Sequence, residues 1–377
     1  MSGSNPRDLA TAAVRALAPY VPGKPIDELE RELGISNIVK LASNENPLGP
    51  SPAARRAMQE ALEDAWLYPD GSGHLLKEAL ARHLGVAAQG ITLGNGSNDV
   101  LVLLAEAFLT PHDEAVYSQH CFAVYPIAVQ ATGARGIAVP ALPTNSPMPL
   151  GHDLDAMRRA ITLRTRLVFI ANPNNPTGTW ADAGALERFV ESVPRTALVV
   201  LDEAYFEYAR AEGGQDGIEW LGRFPHLVIA RTFSKVYGLA GLRVGYAVSD
   251  PGVADVLNRV RQPFNVNLVA LAGATAALTD AAHVERGVEL ARDGREQLRD
   301  GLMALRVHTL PSIANFVLAH VGPRAPAVYE AMLRRGVIVR PVGNYGLREH
   351  LRITVGTAEQ NARCIEAMRD SLIEQRR

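Results

Sequence analysis

Of the 38 lysines and arginines in this 377-residue chain, only Lys24, Lys40, Lys77 and Lys235 are lysine. Lys235 stands in "RTFSKVYGLAGLRVGY", residues 231–246, after an apolar run and before a glycine-rich turn. Arginine stays charged and cannot attack a carbonyl, whereas a desolvated lysine amine loses its proton and can. A biased genome also makes lysine scarce, so the position of Lys235 matters more than the count.

Three further polar clusters follow apolar runs in the same way: "GNGSND" after "ITL", "NPNNPTG" after "RLVFIA", and "DEAY" after "ALVVL". If those runs are strands of one parallel sheet, the clusters converge at its carboxyl edge, where such sheets bind ligands. Gly94 and Gly96 let the chain turn before a helix whose free N–H groups attract a phosphate. An ordinary capped turn is the alternative, and the stretch is neither a Walker A loop nor a full G-x-G-x-x-G, because Asp99 holds the last position. "NPNNPTG" reads first as a rigid turn, with Asn175 offering an amide donor to a phenolate oxygen. Asp202 ends a buried strand and needs a partner. An N-cap, a metal or a protonated heterocyclic nitrogen would serve, but Glu203 points elsewhere on a strand and no histidine cluster accompanies it. Thr232, Ser234 and Arg243 suit a second side of a phosphate. A phosphate cradle, an acid for a ring nitrogen, a donor for a ring oxygen and an amine for a carbonyl together match pyridoxal phosphate.

Bulk composition narrows the partners. With 47% hydrophobic and 21% charged residues the chain can bury a large core, expected as two domains. A formal net charge of −2 gives no bulk attraction to nucleic acid or an anionic membrane. Cys121 and Cys364 can build no disulfide framework and neither stands in a C-x-x-C spacing, so a reducing compartment and no metal are expected. "MSGSNPRDLATAAVRAL" lacks the basic and apolar parts of a secretory signal, and no stretch is long enough to span a membrane; the expected location is the cytoplasm.

The elements that must position these residues follow from periodicity. Residues 7–18 read as a short amphipathic helix of an N-terminal arm, ended by "PYVPGKP". Strands are expected at "IVKLA", "ITL", "EAVYS", "RLVFIA", "ALVVLDE", "HLVIARTF" and "VGYAVS". Helices are expected at "AARRAMQEALEDA", "LLKEALARHL", "NDVLVLLAEAFL", "FAVYPIAVQAT" and "LDAMRRAI". Such alternation predicts an α/β domain with a mostly parallel, mixed sheet covered by helices. After "RQPFNVN" the pattern changes to long helices near 268–280 and 282–305, then strands in "ANFVLAHV", "GVIVR" and "HLRITVG" and a final helix. The expected division is an arm over 1–40 contributing to the small domain, a large ligand-binding domain over 41–265, and a smaller α+β domain over 266–377.

In these motifs the chain resembles the fold type I aminotransferases that use pyridoxal phosphate, and within them the histidinol-phosphate aminotransferases. The resemblance covers nearly the whole chain, from "LAPYVPGKPIDELERELG" and "KLASNENPLGPSP" through "YPDGSG", "GNGSND", "NPNNPTG", "DEAY" and "SKVYGLAGLRVGY" to "VIVRPVGNYGLREHLRITVGT". It implies that Lys235 forms the Schiff base and shuttles a proton, that Asp202 keeps the pyridine nitrogen protonated, and that Asn175 and Tyr205 bond the ring oxygen. Gly96, Ser97, Asn98, Thr232, Ser234 and Arg243 are implied around the cofactor phosphate. Phe122 stands where the family often stacks a tyrosine on the ring, which keeps the π face and loses the hydroxyl. Tyr68 in "YPDGSG" matches a tyrosine that crosses to a dimer partner's cofactor, or else is an ordinary packed aromatic. For substrate, the resemblance implies Arg352 and Arg340, aided by Tyr20 and Asn44, on an anionic group; a solvent-facing strand end is the alternative for Arg340. The implied reaction moves an amino group from histidinol phosphate to 2-oxoglutarate, giving imidazole-acetol phosphate and glutamate in histidine biosynthesis. An aromatic amino acid aminotransferase, a threonine-phosphate decarboxylase-like lyase and a non-catalytic cofactor-binding protein are the rival readings.

Overall fold

The computed structural model describes residues 5–375. Its strands are, in chain order, β1 (Val39–Lys40), β2 (Ile91–Gly94), β3 (Glu114–Ser118), β4 (Arg135–Val139), β5 (Thr165–Ala171), β6 (Leu198–Asp202), β7 (Leu227–Thr232), β8 (Gly245–Val248), β9 (His308–Thr309), β10 (Phe316–His320), β11 (Val337–Ile338), β12 (Arg340–Val342) and β13 (Leu347–Thr354). Seven form one sheet in the order β2-β8-β7-β6-β5-β3-β4, in which β8 runs antiparallel to both neighbours and the rest are parallel.

Both faces of this sheet are covered, which is why its strands read as unbroken apolar runs. On one face Leu167, Phe169, Val200 and Val228 pack under the helices Ser97–Phe108 and Val124–Ala131. On the other, Val168, Ile170, Val199 and Ile229 pack against the helices Leu154–Arg159 and Ala183–Ser192. A buried strand facing two apolar layers leaves its polar residues one place to go, the strand end. Register puts those ends side by side: Ala171 opposes Asp202, Asp202 opposes Ala230, and Gly245 opposes both Thr232 and Gly94.

A second, antiparallel sheet has the order β12-β13-β10-β9, and β1 pairs in parallel with β11. The long helix Ala281–Ala304 and the last helix, Ala358–Glu374, cover it through Leu298, Leu302, Cys364 and Met368. We propose the division into an arm over 1–40, a large domain over 41–265 and a small one over 266–377. The pairing of β1 with β11 supports the arm's share in the small domain.

Local expectations fail where burial is absent. Residues 7–18 are not one helix: a 3-10 turn at Pro6–Leu9 and a single α turn at Ala12–Arg15 are separated by Ala10 and Thr11, the latter capping the second, and none of their residues is buried. Without an apolar face to pack, a segment this short gains too little to propagate a helix. "IVKLA" joins the β1–β11 pair and not the large sheet. The chain also forms helices at Ile26–Leu33, Pro251–Val260 and Ala325–Arg334, and the edge strand β4, whose outward residues interrupt any apolar run. Among the described residues no helix is long and apolar enough to cross a membrane.

Candidate active site

A cavity of about 520 Å³ opens at the carboxyl edge of the large sheet. Lys235, Asp202, Tyr205, Asn175, Phe122, Ser97, Asn98, Thr232, Ser234, Arg243 and Tyr20 all line it. Residues scattered over more than 200 positions therefore meet at one edge, as the strand-end spacing predicts.

Lys235 Nζ donates to the Ser43 carbonyl at 3.3 Å and lies 5.6 Å from the Tyr205 ring centre. The other three lysines differ: Lys24 pairs with Glu28 and Glu32, Lys40 pairs with Glu45, and Lys77 lies by the positive Arg261. Burial, with the positive Arg352 and Arg243 nearby, brings the Lys235 amine down from 10.5 to about 8 against the opposing pull of Glu45 and Asp202. Between pH 8 and 10.5 the unfolded chain, whose amine is unperturbed, binds more protons than the folded one, so stability of the cofactor-free protein rises across that window. Below it the full penalty of burying the charge is present. Lys235→Met is expected to stabilise the cofactor-free protein at pH 7 by roughly 1–3 kcal/mol and to flatten that rise. Urea unfolding across the window measures both, and a variant less stable than wild type at pH 7 contradicts a desolvated amine.

Asp202 ends β6 with both oxygens engaged: Tyr125 Oη donates to Oδ2 at 2.7 Å and the Ala204 N–H to Oδ1 at 3.1 Å. Burial raises its pKa, opposed by Tyr125, Ala204 and Lys235. Such a carboxyl keeps its charge best beside a positive group. Glu203, the next residue, points away and forms a buried ion pair with Arg231, which Asp216 shares. Alternation along the strand thus separates a structural carboxylate from one that faces the cavity.

Two donors share the cavity with the Lys235 amine, each with its side-chain oxygen already accepting a hydrogen bond. Arg352 Nη1 donates to Asn175 Oδ1 at 2.5 Å, which leaves the Asn175 Nδ2 hydrogens for a ligand. Asn44 Nδ2 donates to Tyr205 Oη at 2.8 Å, and burial pushes the Tyr205 phenol up to about 12, so its own proton stays available to donate. Asn44 is itself buried with a left-handed φ of 57°, held by Thr354 and Asn315. It stands behind Tyr205 and does not line the cavity.

At the other end the helix Ser97–Phe108 starts with no side-chain cap, so the Ser97 and Asn98 N–H groups face the cavity end unclaimed. Arg243 Nη1 donates to Ser234 Oγ at 3.1 Å, and Thr232 Oγ1 accepts from the Ser234 N–H at 3.1 Å. Gly96, at φ +83°, does not line the cavity; a Cβ there would come within 2.2 Å of Arg243 Nη2. Helix N–H groups, hydroxyls and a guanidinium make an anion cradle that only glycine at 96 leaves open.

Register places Arg340 directly opposite Arg352 on β12 and β13, and both are about 6% exposed. Arg340 is therefore not a solvent-facing strand end. Like charges opposed across a ladder are unfavourable, and neither arginine has a carboxylate partner among the described residues. Arg352 donates to Asn175 and the Ala42 carbonyl, with Nε buried and unpartnered; Arg340 donates to the Val21 carbonyl and lies 5.9 Å from the Tyr20 ring centre. Neither lines the cavity directly; they stand behind Asn175 and Tyr20. Tyr68 lies outside it altogether, 83% exposed and stacked on Phe264 at 4.9 Å.

Sequence reasoning misses Tyr125, although "CFAVYP" contains it, and the Ser43 carbonyl, whose role no residue type announces. With the geometry in place, comparison with known proteins is specific. Residues 36–368 match the family model for aminotransferase class I and II. Histidinol-phosphate aminotransferase 1 of Thiobacillus denitrificans is 56% identical over 99% of this chain and 96% of that protein. Histidinol-phosphate aminotransferase 1 of Nitrosococcus oceani is 53% identical over 97% of each. The crystal structure of a Sinorhizobium meliloti histidinol-phosphate aminotransferase with pyridoxal 5'-phosphate superposes with a TM-score of 0.89 at 30% identity, over 97% of this chain and 98% of that one. The chain belongs to the class I and II aminotransferases, and within them to the histidinol-phosphate aminotransferases.

Proposed function

We propose that the protein is a pyridoxal-phosphate-dependent aminotransferase that moves the amino group of histidinol phosphate to 2-oxoglutarate, reversibly, in histidine biosynthesis. The observation that carries the substrate choice is the buried arginine pair, Arg340 and Arg352, unmatched by any carboxylate among the described residues and placed behind the cavity that holds Lys235. A dianionic phosphate on the amino donor satisfies two opposed guanidinia better than a single carboxylate does.

The residues fit the cofactor. The uncapped helix start at Ser97 and Asn98, with Thr232, Ser234 and Arg243, would take its phosphate, and the Gly96 clearance keeps that cradle open. Asp202 would take the ring nitrogen, Asn175 and Tyr205 the ring oxygen, and Phe122 a ring face. Bound pyridoxal phosphate supplies a conjugated ring that withdraws electrons from the amine-bearing carbon of the substrate. Asp202 keeps a proton on the ring nitrogen, held in place by Tyr125. Lys235 Nζ, with its proton affinity lowered, takes the proton from the substrate carbon and later returns it. Asn175 and Tyr205 would orient the ring, and Arg352 and Arg340, behind Asn175 and Tyr20, would supply the positive charge that draws the substrate anion to this side of the cavity.

Tyr68 and Phe264 stack as exposed aromatics, and Trp66, two residues before Tyr68, is 80% exposed. A homodimer in which Tyr68 crosses to the partner's site would cover them, and the cytoplasm is the proposed location.

Replacing Arg352 with glutamine is expected to cost about 2–3 kcal/mol of transition-state binding, on the order of 10²-fold in kcat/KM for histidinol phosphate. Steady-state kinetics with 2-oxoglutarate tests this, and an unchanged kcat/KM removes the arginine pair from substrate binding.

A further inference from the structure

The cavity must distinguish the ring of its amino donor as well as the anion, and one lining group, whose charge acts on Lys235, has no ligand assigned to it above. Only two carboxylates line the cavity, Asp202 and Glu45. Asp202 is assigned to the cofactor ring nitrogen and is held there by Tyr125 and the Ala204 N–H. Glu45 has Oε1 bonded to Lys40 Nζ at 2.5 Å, its side chain is 41% exposed, and Oε2 has no partner among the described residues.

The backbone around Glu45 is clamped on both sides. Asn44 is tied to Thr354, Asn315 and Tyr205, while Asn46 Nδ2 donates to the Val236 carbonyl, the residue after Lys235, at 2.7 Å. Ser43, one residue before Asn44, accepts from Lys235 itself. A carboxylate carried on a segment fastened to the reactive lysine's own neighbours is preorganised relative to the substrate carbon.

We propose that Glu45 is a specificity-determining residue whose Oε2 accepts a hydrogen bond from the ring N–H of the substrate's imidazole. This rests on histidinol phosphate as the amino donor. Imidazole carries an N–H donor in the ring itself; the phenylalanine ring has none, and tyrosine has its hydroxyl only at the far tip. A group placed to accept from a substrate N–H selects against an analogue lacking it, because the acceptor then loses its partner. Lys40 offsets the Glu45 charge, so the same cavity can admit the carboxylates of glutamate and 2-oxoglutarate.

The test uses the holoenzyme and the kcat/KM ratio of histidinol phosphate to phenylalanine, with 2-oxoglutarate as acceptor. Glu45→Leu is expected to lower this ratio roughly 10- to 100-fold, the range of a hydrogen bond to a charged group. Glu45→Gln, which keeps an acceptor oxygen, lowers it less. Lys40→Met, which breaks the ion pair and leaves the carboxylate, preserves the ratio. If Glu45→Leu slows both donors equally, or Lys40→Met lowers the ratio as much, Glu45 is only half of an ion pair and the assignment is wrong. A wild-type enzyme with no preference for histidinol phosphate would overturn the substrate on which the assignment depends, and is told apart by needing no variant.

Discussion

Replacing Lys235 with alanine is expected to lower transamination by at least about 10⁴-fold, the upper range for loss of a general acid–base group, because the nucleophilic amine is lost with it. Arginine at this position would supply charge but no exchangeable amine. The amine is the only lysine at the cavity, and burial with two arginines nearby brings it to about 8, where it can both take and give a proton. Two measurements check the result: single-turnover kinetics, and mass spectrometry after borohydride reduction. Wild-type protein should gain the mass of the cofactor on Lys235, and the alanine variant should not. A variant that retains activity within tenfold, or still acquires the cofactor covalently, contradicts the assignment.

Asp202→Asn is expected to reduce kcat by about 10²–10³-fold while leaving the cofactor bound, about 3–4 kcal/mol and at the lower end of the cost of breaking a buried charge pair. Asparagine keeps the shape and can still accept from the Ala204 N–H, but it cannot balance a protonated ring nitrogen. The phosphate cradle at Ser97, Asn98, Ser234 and Arg243 is untouched by this change, so binding and rate should separate. Stopped-flow measurement of the half-reaction with glutamate reads the rate, and gel filtration reads retention of the cofactor. A kcat within a few-fold of wild type would mean that Asp202 serves packing alone.

Much of this site is legible in the chain because parallel strands convert sequence position into spatial position. Lys235, Asp202, Asn175 and Ser97 each come within a few residues of an apolar run's end, and a sheet with both faces covered leaves the carboxyl edge as their meeting place. Tyr125 is not legible in the same way. It is a helix residue, its partner Asp202 lies 77 positions away, and an aromatic in a helix is ordinarily core, as its stacking on Phe169 also shows. Arg340 illustrates the reverse: at the end of "VIVR" it can face solvent or interior, and only the pairing of β12 with β13 settles that it is buried opposite Arg352. Asn44 depends on a left-handed backbone and on contacts to β13 some 310 positions on. The arm fails for a different reason. Residues 7–18 carry helical periodicity, but they touch the helix Val124–Ala131 only lightly, as where Gln130 donates to the Ala13 carbonyl, and bury no residue, and periodicity without burial does not hold a helix.

The position of the tyrosines has its own logic. Tyr205 and Tyr125 are buried and keep their protons, one as a donor toward the cavity and the other as a donor to Asp202. Tyr68 is exposed and stacked on Phe264, beyond the reach of its own cavity. The same residue type therefore divides between holding the site and forming the surface proposed to meet a second subunit.

The central claim is that this cavity processes histidinol phosphate. The direct measurement is kcat/KM for histidinol phosphate, phenylalanine and tyrosine, each with 2-oxoglutarate as acceptor and the same enzyme preparation. The arginine pair and the ring-facing carboxylate predict that histidinol phosphate leads both amino acids by roughly 10²-fold or more. An equal or larger kcat/KM for phenylalanine would contradict the account of the substrate.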